Sequence, residues 1–175
     1  MSKQRTANLL GALACEIAVR LEQQLKKHPN QNDSAAAALC VIGYYHGCSN
    51  ATLSQALKLS HTATVRLVDK LEGAGWVDSH IGHDRRSVAL QLTKAGRKQA
   101  QSVVADRNRA LSDIVDVLTT SQRSQLAAIS EVLLQSMTKS PDAANYICRL
   151  CDDNACPPGK CPVHQAALKH EDASA

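Results

Sequence analysis

Aromatic residues are scarce in this sequence. It has no Phe, one Trp and three Tyr, and aromatic side chains make up 2% of its 175 residues. Hydrophobic residues still reach 44%, so a core can form, but it must be built mainly from Ala, Leu, Val and Ile. Such a composition favours helices over an aromatic-rich β-sandwich. The length fits one domain with room for a tail.

Long apolar runs are missing as well. No stretch approaches the roughly 20 residues that a membrane span needs. A signal peptide is not expected either, because Gly11, Cys15, Glu16 and Arg20 interrupt the early apolar stretch. The sequence also lacks a Gly-rich phosphate loop and a recognisable Ser/His/Asp set. We therefore expect a cytoplasmic protein that is not an enzyme and has no membrane partner.

Basic residues are concentrated in the first part of the chain. Residues 1–140 hold 17 of the 20 Lys and Arg but 11 of the 16 Asp and Glu, whereas residues 141–175 are slightly acidic. The window 58–98 holds 8 basic and 4 acidic residues. A modest basic excess permits nucleic-acid binding without proving it.

The spacing of apolar residues divides the chain into helices and one hairpin. Between residues 76 and 92 apolar residues alternate on either side of a polar turn, which predicts a β-hairpin. Elsewhere they recur every three to four positions, which predicts helices. The predicted helices span 6–27, about 33–45, 49–57, 60–72, 93–118 and about 120–137.

Two short helices joined tightly and followed by a β-hairpin predict a winged helix-turn-helix. The second helix of such a pair enters the major groove of B-DNA with its N-terminal turns against the bases. In the helix 60–72 the inward stripe consists of Thr64, Leu67, Val68 and Leu71. The opposite face supplies the candidate DNA contacts, Ser60, His61, Thr62, Val65, Arg66 and Lys70. Arg66 can donate two hydrogen bonds to guanine; the alternative is that Arg66 and Lys70 are ordinary solvated charges.

The turn of the predicted hairpin carries a second group of candidate DNA contacts. His83, Arg85 and Arg86 lie at its tip, where an exposed Arg pair suits phosphates or a narrow minor groove. Asp84 is a poor DNA contact because it repels phosphate. We expect Asp84 to pair with Arg85 or Arg86 and so to fix the shape of the wing.

Five motifs in this region resemble the MarR family of bacterial transcriptional regulators in order and spacing. They are Leu59-Ser60, the run 66–72, Gly75-Trp76-Val77, the wing motif 84–87 and the run 92–97. The resemblance covers roughly residues 8–138. It implies a homodimer that reads two half-sites of a palindromic operator in double-stranded DNA and releases it on binding a small-molecule effector or on oxidation. The order Thr64-Val65 and the presence of Ser79 depart from the family pattern, so base preference and wing affinity are expected to differ.

The resemblance also sets the expected domains of a mainly α fold with a β-hairpin wing, an α+β arrangement. Residues 1–32 and 93–140 would form a helical dimerisation region, and residues 33–92 a winged helix-turn-helix DNA-binding domain. Residues 141–175 have Pro at four positions and little apolar periodicity. We expect them to form a cysteine-rich, metal-binding tail.

The tail contains four closely spaced cysteines, Cys148, Cys151, Cys156 and Cys161, in the pattern C-x2-C-x4-C-x4-C. Four thiolates in a short loop can hold one zinc ion or an iron–sulfur cluster. In a cytosolic chain they indicate a metal site or redox switch before a disulfide framework. Pro follows Cys156 and Cys161, and the stretch resembles the cluster loop of redox-sensing regulators of the MerR type, which implies a [2Fe–2S] cluster. Zinc and a metal-free thiol switch remain the alternatives, and His164 could replace a cysteine.

These observations predict a sequence-specific, dimeric DNA-binding repressor whose DNA affinity is modulated by a redox-sensitive iron–sulfur cluster in the tail. One alternative is a repressor that responds to a small molecule and carries a structural zinc site. Another is a cluster-carrying electron-transfer or metal-storage protein. The remaining cysteines, Cys15, Cys40 and Cys48, are expected in the core, and His28 and His170 at the surface.

Overall fold

The fold is mostly helical with one two-stranded antiparallel hairpin, as the sequence predicted. The computed structural model describes residues 2–28, 33–45, 48–81 and 88–172. In chain order the helices and strands are α1 (Lys3–Leu25), α2 (Asp33–Tyr44), α3 (Asn50–Leu57), α4 (His61–Gly73), β1 (Val77–Ile81), β2 (Val88–Leu92), α5 (Lys94–Val115), α6 (Thr120–Met137), α7 (Pro141–Cys148), a short 3₁₀ turn (Pro158–Lys160) and α8 (Pro162–Asp172).

Hydroxyl side chains begin the central helices. Ser49, Ser60 and Thr93 are the N-caps of α3, α4 and α5, and each accepts a hydrogen bond from a backbone N–H of the first turn. Helix α6 begins at Thr119 with a capping box completed by Gln122. These caps satisfy backbone donors that have no partner within the helix, which is why each helix begins within a residue of its predicted start.

The main core lies where α2, α3, α4 and β2 meet. Helix α2 is almost completely enclosed, since Ala35 to Leu39 are at most 1% exposed. Leu53 of α3, Leu71 of α4 and Leu90 of β2 are 0% exposed and belong to the same cluster. The small Ala side chains let the neighbouring helices approach α2 closely, and this packing sets the angles of α3 and α4 relative to α2.

A tight corner joins the hairpin to α5. Thr93 donates from its backbone N–H to the carbonyl of Trp76 (3.0 Å) and from its hydroxyl to the carbonyl of Gly75 (2.7 Å). Gly96 lies against the same backbone, because a Cβ at this position would be 1.9 Å from the Trp76 carbonyl oxygen. Only glycine fits this approach, so the corner holds the wing in one orientation relative to α5.

The apolar faces of α1 and α6 are not covered by any other described part of the chain. In α1 Leu9, Leu10 and Leu13 are 44–51% exposed, and in α6 Ile129 and Val132 are 58% and 66% exposed. Both helices belong to the dimerisation region 1–32 and 93–140 that the family resemblance predicts, which also includes α5. Within the described part of the chain, no helix has the length and apolar content that crossing a membrane requires.

Two expectations about single residues were wrong. His28 is buried at 8% exposure because it fills the junction between α1 and α5, where its Nε2 is 3.0 Å from Oδ2 of Asp106 and Gln99 contacts its Nδ1 at 3.1 Å. Cys15 is exposed because it lies on the part of α1 that nothing in the chain covers. Cys48 is buried in the main core, as expected.

The tail is more regular than its weak apolar periodicity indicated. Ser140 caps α7, Pro141 occupies the first turn, and Ala144, Cys161, Val163 and Ala167 form a small core of their own. Helix α8 packs on α6, and α7 packs on α3. Because these contacts use small side chains and cysteine, the segment lacks the Leu-rich pattern by which the longer helices were predicted.

Candidate nucleic-acid interface and cysteine pocket

Helix α4 presents a polar face to solvent. The four residues predicted to face inward are buried, at 0–8% exposure: Thr64, Leu67, Val68 and Leu71. On the opposite side His61, Thr62, Arg66 and Lys70 are exposed, while Val65 is half-buried. The exposed face therefore combines hydroxyl, imidazole and guanidinium donors with the N-terminal end of a helix, an arrangement suited to bases and phosphates.

Ser60 has a structural role in addition to its predicted one. Its Oγ accepts a hydrogen bond from the backbone N–H of Ala63 (3.2 Å), and its carbonyl accepts from the hydroxyl of Thr64 (3.0 Å). The Ser60 hydroxyl hydrogen is still free to reach an acceptor, because the cap uses only the oxygen lone pair.

The turn before α4 is held in an uncommon conformation. Lys58 ends α3 in the left-handed region, with a φ of 53°, the one positive φ outside glycine among the described residues. Its N–H donates to the carbonyls of Gln55 and Ser54, and the Ser54 hydroxyl donates to the carbonyl of Leu59 (2.7 Å). A left-handed Lys costs free energy of order 1 kcal/mol or more, so the neighbouring contacts fix this turn and with it the direction of α4.

The hairpin is confirmed in its strands. Val77 pairs with Leu92 and Ile81 with Val88, in an antiparallel ladder. The predicted tip residues His83, Asp84, Arg85 and Arg86 lie outside the described residues. The predicted pairing of Asp84 therefore remains a prediction.

One tie between wing and α4 was not expected from the sequence. The hydroxyl of Ser79 in β1 donates to the Glu72 carboxylate at the end of α4. A basic side chain at position 79 would add a positive charge to the wing. Ser79 adds no charge, but its hydrogen bond with Glu72 fixes the distance between β1 and α4.

The four tail cysteines meet at one pocket. Cys148, Cys151, Cys156 and Cys161 all line a cavity of about 90 Å³ between the tail and α2. Cys40 of α2 lines the same cavity, and so does His164 at the start of α8.

The tail thiols influence one another's pKa. Cys151 and Cys161 act on the pKa of Cys148, and Cys161 acts on the pKa of Cys156. The hydrogen bond with Cys151 and burial raise the pKa of Cys148. The same hydrogen bond lowers the pKa of Cys151, and the positive charge of Arg107 lowers it further. One thiolate stabilised by a neighbouring thiol is thus the favoured state of this pair.

The chemistry of this donor set fits a thiophilic metal or an iron–sulfur cluster, since both bind several thiolates at once. Over the ranges that the structure describes, however, no group of three or more His, Cys, Asp or Glu side chains has the arrangement of a metal-ion site. The four thiols are therefore chemically suitable ligands for a thiophilic metal or a cluster, while the metal site itself stays a prediction.

Sequence reasoning missed the residues that fasten the tail to the rest of the chain. The Tyr45 hydroxyl donates to Oδ1 of Asn145, and Nδ2 of Asn108 in α5 donates to Oδ2 of Asp152 (2.8 Å). Cys40 was expected to be an ordinary core residue, yet burial raises its pKa to about 12 and its side chain faces Cys151. No local pattern signals these contacts, because the partners are 44 to 100 residues apart.

Comparison with known families agrees with the motif resemblance. The sequence pattern of the MarR family matches residues 32–88, about a third of the chain. This range holds α2, α3, α4 and β1 and excludes the cysteine tail. The winged helix-turn-helix predicted from the motifs is confirmed as a fold by the described helices and hairpin, and residues 32–88 are similar to the MarR family.

Two curated relatives are similar over longer stretches. The transcriptional repressor MprA of Escherichia coli K12 is 32% identical over 93 residues, which is 53% of this chain and 53% of MprA. The chain thus spans about half the length of that relative. The uncharacterised HTH-type transcriptional regulator YwhA of Bacillus subtilis is 28% identical over 116 residues, 65% of this chain and 81% of YwhA. Both are described as regulators, which agrees with a chain that is not an enzyme.

Solved structures share the fold. A MarR family protein from Bacillus stearothermophilus superposes with a TM-score of 0.68 at 22% identity, covering 79% of this chain and 99% of its own. Streptococcus pneumoniae FabT in complex with DNA superposes with a TM-score of 0.66 at 20% identity, covering 77% and 96%. The architecture is therefore that of MarR winged-helix structures.

Proposed function

We propose that this chain is a dimeric, sequence-specific DNA-binding transcriptional repressor of the MarR type, whose tail cysteines hold a redox-sensitive [2Fe–2S] cluster that modulates its affinity for DNA. The observation that carries the DNA-binding part is the polar face of α4, exposed beside a hairpin and backed by a buried stripe. The description of MprA as a repressor and the DNA complex of FabT support it.

Arg66 is the residue expected to select a base. It is exposed in the second turn of α4, where a recognition helix meets base edges, and its fork matches O6 and N7 of guanine. Ser60, His61 and Thr62 lie at the start of the helix, suited to phosphate or base contacts. Lys70 is near the other end and is expected to contact phosphate alone.

Dimer formation is supported by the apolar faces of α1 and α6. Leaving several Leu, Ile and Val side chains about half exposed in each chain is unfavourable, since each Å² of apolar surface removed from water contributes roughly 25 cal/mol. Two copies related by a two-fold axis would cover these faces and present two α4 helices to successive major grooves. A palindromic operator follows from that symmetry.

The DNA-binding proposal is tested by selecting duplexes from a random library and measuring their affinity against salt. Affinity should fall steeply with salt, with a slope that reports phosphate contacts. Arg66→Ala should cost about 1–3 kcal/mol and relax selectivity at one base position. Arg123→Ala is the matched control, because Arg123 is an exposed arginine on α6, far along the chain from α4, and should leave selectivity unchanged. No duplex binding by the wild type would refute the proposal.

The cluster proposal rests on four thiols that converge on one pocket from a segment of 14 residues. A bound cluster would supply a centre whose charge changes on oxidation. The chain itself would contribute the four sulfurs, the nearby positive charges of Arg107 and Arg149, and a partly enclosed pocket. His164 lines the pocket and is the further candidate ligand.

The first experiment on the tail is a visible absorption spectrum of protein purified without oxygen, with iron, sulfide and zinc assayed on the same sample. Iron and sulfide in equal amounts per protomer would support the cluster. About one zinc per protomer and no colour would identify a structural zinc site instead. Cys148→Ser combined with Cys151→Ser should abolish metal binding, whereas Cys15→Ser on the exposed face of α1 should not. Unchanged metal content and DNA affinity in the double variant would refute the cluster's role.

A cavity between α2, α5 and the tail favours the second candidate, control by a small molecule. Its volume is about 510 Å³, and its lining mixes Ala and Val of α5 with Tyr44, Asp152 and Asp153. This is within the range of ordinary ligand pockets. If the tail proves to hold zinc, this cavity is where an effector should be sought, by testing which ligands lower DNA affinity and whether Ala105→Trp prevents the effect.

A further inference from the structure

The cysteine segment contacts the DNA-binding domain of its own chain at the turn that precedes α4. Tyr146 lies two residues before Cys148 in α7, and its ring makes cation–π contacts with two side chains. Nζ of Lys58 is 3.9 Å from the ring centroid, and the guanidinium carbon of Arg149 is 4.0 Å from it. Arg149 also donates to the carbonyl of Tyr146 (2.6 Å). We name Lys58, Tyr146 and Arg149 the tyrosine clamp.

Lys58 occupies a sensitive position. It is the left-handed residue that ends α3, and only Leu59 separates it from Ser60, the N-cap of α4. A force on the Lys58 ammonium therefore acts on the one bend that decides how α4 is directed.

A second contact lies next to the clamp. Asn145 accepts a hydrogen bond from the hydroxyl of Tyr45, just beyond the end of α2, and Tyr45 packs against the main core. Neighbouring residues of α7 thus reach α2 and the α3–α4 turn at the same time. Leu150, one turn later, packs against the main core as well. The start of the cysteine segment is fastened to the helix-turn-helix by polar and apolar contacts together.

The same segment carries the proposed ligands. Cys148 is the last residue of α7, and the N–H of Cys151 donates to its carbonyl (2.8 Å). A change in the backbone that moves these two sulfurs apart also turns or shifts the last turn of α7. Tyr146 and Asn145 belong to that turn, so they move with it.

We propose that the tyrosine clamp couples the state of the cysteine pocket to α4 within one protomer, with Tyr146 and Lys58 as its positioning residues. With the four cysteines held by a bound group, the end of α7 would be fixed, Tyr146 would hold Lys58, and the turn would hold α4 in its DNA-reading direction. Loss of the group releases the turn. This inference rests on the proposed function, and it differs from coupling through the dimer interface in that no second chain is needed.

The test measures coupling rather than affinity alone. Dissociation constants for a selected duplex are determined for protein reconstituted with iron and sulfide and for the same protein stripped by a chelator, without oxygen. The wild type should show a ratio of about fivefold or more, as in typical allosteric coupling. Tyr146→Leu and Lys58→Met should each bring the ratio to about twofold or less, at unchanged metal content. Lys160→Met, which removes a lysine of the same segment outside the clamp, should keep the wild-type ratio.

Hydrogen exchange supplies a second readout that a general loss of stability would not reproduce. Amides in the peptide 54–66 should exchange more slowly in the metal-loaded wild type than in the stripped protein, and this difference should vanish in Tyr146→Leu. If that variant does not fold, Lys58→Met, whose side chain keeps its length, carries the same test.

The outcomes separate the two proposals. A wild-type ratio of one with metal bound would overturn the regulatory function and the clamp with it. A wild-type ratio that both clamp variants retain would leave the metal-sensing function standing and overturn the clamp.

Discussion

Replacing Gly96 by Ala should destabilise the protein through a single contact. A Cβ at position 96 would be 1.9 Å from the carbonyl oxygen of Trp76, whereas ordinary van der Waals contact begins at 3.4 Å. The added atom meets backbone, which cannot rotate away as a side chain can. The start of α5 and the start of β1 must therefore separate by about 1.5 Å.

That separation costs free energy in two ways, through strained packing and through a weakened hydrogen bond. Overpacking of this kind costs roughly 1–3 kcal/mol. The hydrogen bond from Thr93 N–H to the Trp76 carbonyl, now 3.0 Å long, would be lost or weakened, at about 1 kcal/mol. The better helix propensity of Ala offsets about 1 kcal/mol of this. The free energy of unfolding should fall by about 1–3 kcal/mol, which corresponds to a Tm lower by roughly 2–12 °C for a chain of this size.

Urea and thermal unfolding followed by circular dichroism, at one fixed protomer concentration, measure this change. Gly73→Ala is the matched control, since Gly73 ends α4 with nothing within 4 Å of an added Cβ and without a positive φ. That variant should be neutral or slightly stabilised. A Gly96→Ala protein as stable as the wild type would show that the corner yields, and the reasoning about wing orientation would fail with it.

Three further predictions concern the core and the thiols. Leu71→Ala should lower the free energy of unfolding by about 2–5 kcal/mol, because Leu71 is fully buried, whereas Val117→Ala at 82% exposure should change it by less than about 0.5 kcal/mol; equal effects in urea titrations would contradict the core assignment. At pH 8 iodoacetamide should label the exposed Cys15 much faster than the buried Cys48, since burial raises the pKa of Cys48 to about 11, and peptide mass spectrometry showing equal rates would refute this. His28→Ala should lower the free energy of unfolding by about 1–3 kcal/mol, because it removes a buried side chain together with its contacts to the half-buried Asp106 and Gln99, and an unchanged urea midpoint would contradict the contact with Asp106.

The winged helix-turn-helix half of the fold could be predicted from local signals. Serine or threonine precedes each central helix, and the stripe Thr64, Leu67, Val68, Leu71 repeats at helical spacing. Each of these signals lies within a few consecutive residues, so it can be recognised in the sequence without knowledge of the fold. The approach of Gly96 to Trp76 has no such signal, because it depends on how two elements pack after both have formed.

The tail shows the opposite case. Its cysteine spacing predicts a metal or redox site, which stays a prediction, but the sequence did not indicate that α7 and α8 are helices with a small core of their own. Contacts such as Tyr45 with Asn145 span 100 residues, and nothing in either neighbourhood announces the other. The expectation that His28 is exposed failed for the same reason, since its partner Asp106 belongs to a helix much later in the chain.

The tail packs on α6 through α8 and on α3 through α7, and this double attachment has a consequence for the entropy of DNA binding. Because the tail is attached at both ends, it limits how far the proposed dimerisation helices and the proposed DNA-reading helices can move relative to each other. In the proposed dimer two half-sites must be met at once, so a chain that has already lost this freedom loses less of it on the proposed operator. Weakening either attachment of the tail would lower the affinity for DNA, because the free protein would sample more conformations, even if its average structure did not change.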